Sequence, residues 1–217
     1  FRWDNTMDET DWKFEHHVCH HPFTNIDGKD HDYGYLYYRI SARQEWQPRH
    51  AFQIAALMAM PGIMTYYMPG YIATARAFFE NRAPLTWKTY GPAVMSVSQA
   101  LGRDYVFFPL LAGPLFPKVF LGNMVARVLA GAHLMYMLVF EHHGADIPLV
   151  DEPENESKYE FYLRQVLTSR NYHVPEWYER LLMGSINTHM EHHLFPDLPF
   201  NRLMDISGEV AAICKKY

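Results

Sequence analysis

His17-Val18-Cys19-His20-His21, near the start of the chain, and His189-Met190-Glu191-His192-His193, near its end, are two copies of one pattern, HxxHH. On an α-helix, positions i, i+3 and i+4 share a face. Each copy therefore predicts a short helix that aims three imidazoles at one point. With 13 His in 217 residues, one HxxHH is expected about 0.05 times by chance. A second copy therefore argues against two accidental surface clusters. Imidazole ligates iron, zinc and copper, and two such faces could hold a metal pair between them.

Working outward, Trp12 to His21 reads as a helix that Pro22 ends, followed by a turn at Asn25 to Gly28. A helix from about Pro175 is expected to run into the second box and stop near Leu194, before Pro196. Residues Glu156 to Tyr172 are amphipathic, with Tyr159, Tyr162, Val166 and Leu167 on one face. A last helix over Pro199 to Lys215 has Leu203, Ile206, Val210 and Ile213 as its apolar stripe. Between the boxes lie the apolar blocks. Residues 51–73 carry no formal charge but hold Pro61, Gly62, Pro69 and Gly70, which suits a membrane or re-entrant segment. Residues 105–140 hold two apolar runs, Tyr105 to Leu121 and Met124 to Phe140, read as a tight helical hairpin dipping into a membrane. Arg127 and His133 in the second arm are costly in lipid and are expected to face protein or to snorkel. The plain alternative is a buried hairpin of a soluble protein. The fold class that follows is all-α: a membrane-embedded helical hairpin with a cytosolic helical cap that carries the histidines.

Composition agrees. The net charge of −5 comes without a basic tract, which excludes nucleic acid as an expected partner. Aromatics at 16% fit a protein at a membrane interface. Two cysteines make no disulfide framework, and Cys19 reads as a small packed thiol rather than a thiolate ligand. If the two boxes meet, they lie on one side of the membrane. Arg39, Arg43 and Arg49 follow the first box, whereas the hairpin turn has only Lys118, so the boxes are expected in the cytoplasm of a multi-pass protein.

The candidate metal ligands are His17, His20, His21, His189, His192 and His193. A further one comes from the pair His142 and His143, just past the second apolar arm, with His143 favoured. Metal-bound His usually donates its other ring N–H to a carboxylate or carbonyl. Asp30 and Asp32 are candidates for that task, and Asn187 for placing a water or a hydrogen bond; their plain alternative is turn capping. His16 points about 100° off the ligand face, and Glu191 also points away from it. His31, His50 and His173 lack partner spacing and read as structural. Seven or more His suit redox-active iron better than structural zinc, which takes four ligands.

At this point the residues resemble a known family. HHVCHHPFTNIDGKDHD (16–32) resembles the second histidine box of membrane fatty acid desaturases, and NTHMEHHLFPDLP (187–199) resembles their third. The resemblance covers nearly the whole chain and looks closest to the acyl-lipid or linoleoyl-CoA type. It implies a single desaturase domain over 1–217 with two iron ions bound by His17, His20, His21, His189, His192, His193 and His143 (or His142). It implies O2-dependent insertion of a cis double bond into an acyl-CoA, acyl-ACP or acyl-lipid beside membrane lipid. Electrons would come from ferredoxin or cytochrome b5. An acyl channel is expected near the aromatics of 33–38 and 159–162. The family also has an earlier box, HxxxH or HxxxxH, and no His precedes His16, so the chain is expected to be a C-terminal part of the enzyme. His189 stands where many front-end desaturases have Gln, which argues against that subtype. Two rivals remain. One is a hydroxylase or ketolase on the same scaffold, acting on acyl chains or carotenoids. The other is a non-enzymatic zinc-binding membrane protein, against which the lack of intramembrane acidic and His pairs counts.

Overall fold

The computed structural model describes residues 6–33, 38–80, 86–144, 146–184 and 186–217. Among the described residues regular structure is helical, apart from an isolated parallel bridge between Ile26 and Val150. The chain forms two units: 1–22 with 34–135, and 23–33 with 136–217.

In the first unit, Asp8 caps α1 (Glu9–Phe14) by accepting from the N–H groups of Thr10 (2.9 Å) and Asp11 (3.2 Å). The chain then continues into a π-helical turn, Glu15–His20. Next comes α2 (Gln53–Phe79), one unbroken helix that includes Pro61 and Pro69. A proline inside a helix leaves the carbonyl four residues earlier without its donor. For Pro69 that carbonyl belongs to Thr65, and the Thr6 hydroxyl donates to it. The segment therefore stays helical through both Pro-Gly pairs. Met60, Met64, Met68, Tyr71 and Ala75 are buried at helical spacing, while Ile54, Met58 and Ile63 are exposed. Arg76 of α2 pairs with Asp11 of α1 and with Glu80 (3.2 Å).

Thr86 caps α3 (Trp87–Gly102), which passes through a π-helical turn (Arg103–Phe107) into the short α4 (Phe108–Leu111). The chain bends over Gly113–Leu115, with Gly113 at φ 56°. It continues as α5 (Phe116–His142). The hairpin thus turns at 113–115, and the apolar run from Tyr105 to Leu121 is split between its two arms. Tyr105 packs on Phe120 across it, with ring centroids 5.4 Å apart. Arg127 does face protein: it pairs with Asp104. On α5, Leu121, Val125 and Leu129 form an exposed apolar row. Residues Pro48–Ala77 and Gly113–His142 are long and apolar enough to cross a membrane, and only 17% and 11% of their most apolar windows are buried. A core helix of a water-soluble domain would be mostly buried, and apolar surface on this scale marks contact with lipid or protein.

In the second unit, Asn25, at φ 52°, starts a loop tied to residue 150: Asp27 N–H donates to Val150 O and Val150 N–H to Asn25 O, both at 2.9 Å. Helix α6 (Lys158–Thr168) opens with a reciprocal cap. Glu160 N–H donates to Ser157 Oγ (3.3 Å), and Ser157 N–H donates to Glu160 Oε2 (2.8 Å). Ser157→Ala should lower stability by about 1 kcal/mol, read as a lower melting temperature with metal content unchanged. Helix α7 (Glu176–Tyr178) leads into a π-helical turn, Glu179–Met183, which ends at Gly184 with φ 58°. The expected helix from Pro175 is therefore broken there, and α8 (His189–Leu194) starts afresh at the second box. Helix α9 (Phe200–Lys216) follows and buries Leu203 and Val210, two of the four stripe residues.

Candidate metal centre

The second box meets the end of α5. His142, the last residue of α5, places Nε2 2.7 Å from His189 Nε2 and 3.1 Å from His193 Nε2. His189 and His193, four apart on α8, hold their Nε2 atoms 3.1 Å apart. All three residues are buried.

In His142 and His193 the other ring nitrogen faces outward to an acceptor. His142 Nδ1 lies 2.9 Å from the Thr168 carbonyl, and His193 Nδ1 lies 2.9 Å from Gln165 Oε1. His189 Nδ1 lies 3.5 Å from the Glu141 carboxylate. A carbonyl or amide oxygen only accepts, so Nδ1 carries the proton in His142 and His193. These two rings then turn bare Nε2 lone pairs to one another, 3.1 Å apart. Facing lone pairs repel unless a proton or a cation sits between them. An ion bonded to nitrogen at about 2.1 Å at angles of 90–109° requires N···N separations of about 3.0–3.4 Å, close to those found. The donor set therefore fits a metal ion.

Outer partners hold the rings. Helix α6 buries Arg164, Gln165 and Thr168 and leaves Tyr159, Tyr162, Leu163 and Leu167 exposed. Its polar face is thus the inner one. Thr24 Oγ1 donates to Gln165 Oε1 at 3.0 Å. Arg164 Nε and Nη2 donate to Glu156 at 2.6 and 2.8 Å, and Arg164 Nη1 to Thr24 O at 3.1 Å. The Tyr172 hydroxyl donates to Glu141 at 3.5 Å, and burial, then the Glu141 charge, holds its pKa well above the usual value. Asn171 clamps α8 from outside: its Oδ1 accepts from Met190 N–H (2.8 Å), and its Nδ2 donates to the buried Glu191 (2.6 Å).

The first box lies in the other unit and departs from the α-helical expectation. In the π-turn the His21 N–H bonds to the His16 carbonyl, five residues back. That pitch brings residues five apart together: His16 Nε2 is 3.1 Å from His21 Nε2. His16, His20 and His21 are buried and His17 is exposed. Trp12 stacks on His16 at 4.7 Å, and the His20 and His21 ring centroids are 5.6 Å apart. His16 takes the place expected of His17 because the wider turn shifts the phase.

Other expected residues are placed as follows. His143 lies beyond the helix end, against the Tyr33 ring (5.5 Å). His192 is buried against Phe200 (4.8 Å) and stays out of the Nε2 triad. Asp30 organises its loop, accepting from Asn25 N–H (2.7 Å) and Asp32 N–H (2.9 Å). Asn187 donates to Glu179 (2.9 Å), while its buried Oδ1 has no hydrogen-bond partner among the described residues. Cys19 is a fully buried thiol. Of the expected channel aromatics, Tyr35 and Tyr37 lie outside the described residues, and Tyr159 and Tyr162 are 74% and 40% exposed. Glu141, Gln165 and Thr168 were not anticipated. The signal for Glu141 is a lone acid ending an apolar run directly before two His.

Residues 6–217 match the family described as Fatty acid desaturase. The chain belongs to the fatty acid desaturase family. It is 30% identical to the NADPH-dependent stearoyl-CoA 9-desaturase of Mycobacterium tuberculosis, over all of this chain and 52% of that protein. It is 24% identical to the acyl-lipid (8-3)-desaturase of Physcomitrium patens, over 95% of this chain and 45% of the relative. It is 22% identical to the sn-1 linoleoyl-lipid 6-desaturase of Synechocystis, over 95% and 59%. The chain thus spans about half the length of the curated relatives it matches. No solved structure matches it.

Proposed function

We propose that this chain carries the iron-binding histidines of an O2-dependent fatty acyl desaturase. In this reading two iron ions are bound by the histidines of both boxes together with His142. The observation that carries it is the convergence of the His142, His189 and His193 Nε2 atoms, 2.7–3.1 Å apart, with Nδ1 of His142 and of His193 on acceptors. Bound iron would activate O2, the oxidant that removes hydrogen from an unactivated acyl chain. The residues do the rest. Thr168 O and Gln165 keep the Nδ1 protons of His142 and His193 on the outer side. Burial of the triad keeps water from competing for the Nε2 atoms. The two apolar helices would set the site beside a bilayer, where an acyl substrate resides, and Arg39, Arg43 and Arg49 favour a cytoplasmic position for the first box. The relatives' names point to a CoA thioester or a lipid ester as the acyl carrier, and the mycobacterial name points to NADPH as the source of electrons. These would arrive through a carrier such as ferredoxin or cytochrome b5.

The test is product analysis. Membranes containing the protein, given a saturated acyl substrate, reductant and O2, should yield a product that has lost two hydrogens, identified by mass spectrometry. A product that has gained oxygen would make the enzyme a hydroxylase. Protein purified with zinc and consuming no O2 would remove the enzymatic reading altogether.

A further inference from the structure

We infer that Gln165 is a positioning residue for the metal centre: its amide oxygen fixes the His193 ring in the tautomer that leaves Nε2 free to bind iron. The inference deepens the proposed function and rests on its reading of His193 as a ligand. Gln165 is fully buried in the last turn of α6 and far from the box in sequence. A buried amide on a helix face is costly unless it is bonded. Its oxygen accepts from two groups, Thr24 Oγ1 at 3.0 Å and His193 Nδ1 at 2.9 Å. Both contacts lie within the second unit. Thr24 Oγ1 also lies 3.3 Å from His193 Nδ1, so the three groups close a small ring of polar atoms.

A neutral imidazole has one N–H. Either the proton sits on Nδ1 and Nε2 is a ligand, or it sits on Nε2 and blocks the metal. His142 has a backbone carbonyl to decide this, since Thr168 O sits at the end of α6, where helix carbonyls lack intrahelical donors. His193 Nδ1 instead meets the side chains of Gln165 and Thr24, so its tautomer depends on residue identity at 165. This also accounts for the inverted polarity of α6: the helix supplies an acceptor to His193 from Gln165 and another to His142 from Thr168, one turn apart.

The test uses Gln165→Met and Gln165→Glu in the full chain, in detergent, with folding followed by far-ultraviolet circular dichroism. Iron(II) binding is measured by anaerobic equilibrium dialysis. Removing an outer partner of a metal-bound His weakens binding roughly 10–100-fold, and Gln165→Met should do so while remaining folded. Gln165→Glu has the same shape and can only accept, so it should bind iron(II) at least as tightly as wild type. A mere packing role would not separate the two variants in this direction. Loss of iron(II) binding in Gln165→Glu, or unchanged binding in Gln165→Met, overturns the inference. His193→Ala separates the two levels. If it loses iron(II) and Gln165→Met does not, only the positioning role fails. If it binds as wild type does, the ligand reading falls as well.

Discussion

His142→Ala is expected to abolish desaturated product and to strip iron from the purified protein, while His143→Ala leaves both near the wild-type level. The two residues are neighbours with nearly the same surroundings in sequence, so the contrast is sharp. His142 closes α5 with its ring among the Nε2 atoms of His189 and His193, at 2.7 and 3.1 Å. His143 lies past the helix end against Tyr33. Removing a direct ligand should cost more than the roughly 10–100-fold loss of affinity that follows removal of an outer partner. The measurement is iron content per protein together with product yield. Equal losses in the two variants would show that proximity to α8, rather than the triad, is what matters. Loss in His143→Ala alone would reverse the assignment.

The sequence carried the clustering of the histidines but not which rings turn inward. HxxHH marks clustered imidazoles whatever the exact pitch, so both boxes were legible. Which three of four consecutive-region histidines turn inward depends on whether the turn is α or π, and a single π-turn leaves no periodic trace over six residues. His16 is buried and His17 exposed for that reason. The choice between His142 and His143 depended on where α5 stops, and helix ends are the least legible boundaries. Helix α6 misleads differently. Amphipathicity tells which face differs from the other, and the usual assumption is that the apolar face turns inward. Here the neighbours of the inner face are imidazoles, so Gln165 and Thr168 are buried, and Tyr159 and Leu167 are exposed. The long apolar helices were readable from composition alone. The passage of α2 through two prolines was not, because it depends in part on a donor, Thr6, that lies far away in sequence.

Asp104→Ala is expected to be the most destabilising substitution outside the histidine clusters. Asp104 sits in the π-turn between α3 and α4. It accepts from Arg103 Nε at 2.8 Å through Oδ1, and from Arg127 Nε at 2.9 Å through Oδ2. Its backbone carbonyl accepts from Asn123 Nδ2 at 2.6 Å. These bonds tie the two arms of the hairpin, since Asn123 and Arg127 lie on α5. The Asp104 and Arg127 side chains are 10% and 20% exposed, so little solvent is at hand to replace a lost partner. Removing one member of a buried pair leaves an uncompensated charge and costs about 3–5 kcal/mol; allowing for the part of Arg127 that stays exposed, about 2–4 kcal/mol is expected. For a chain of this size that corresponds to a melting temperature lower by roughly 5–15 °C. The cost arises from the orphaned guanidinium rather than from loss of a strong bond. Asp104→Leu combined with Arg127→Met should therefore recover most of the stability, because apolar replacement of both partners of a buried pair is often neutral or better. Thermal unfolding in detergent, followed by circular dichroism, compares the single and double variants. A double variant as unstable as Asp104→Ala would mean that the bonds themselves hold the hairpin. Its iron content should match wild type, because none of these residues touches a histidine cluster within its own unit.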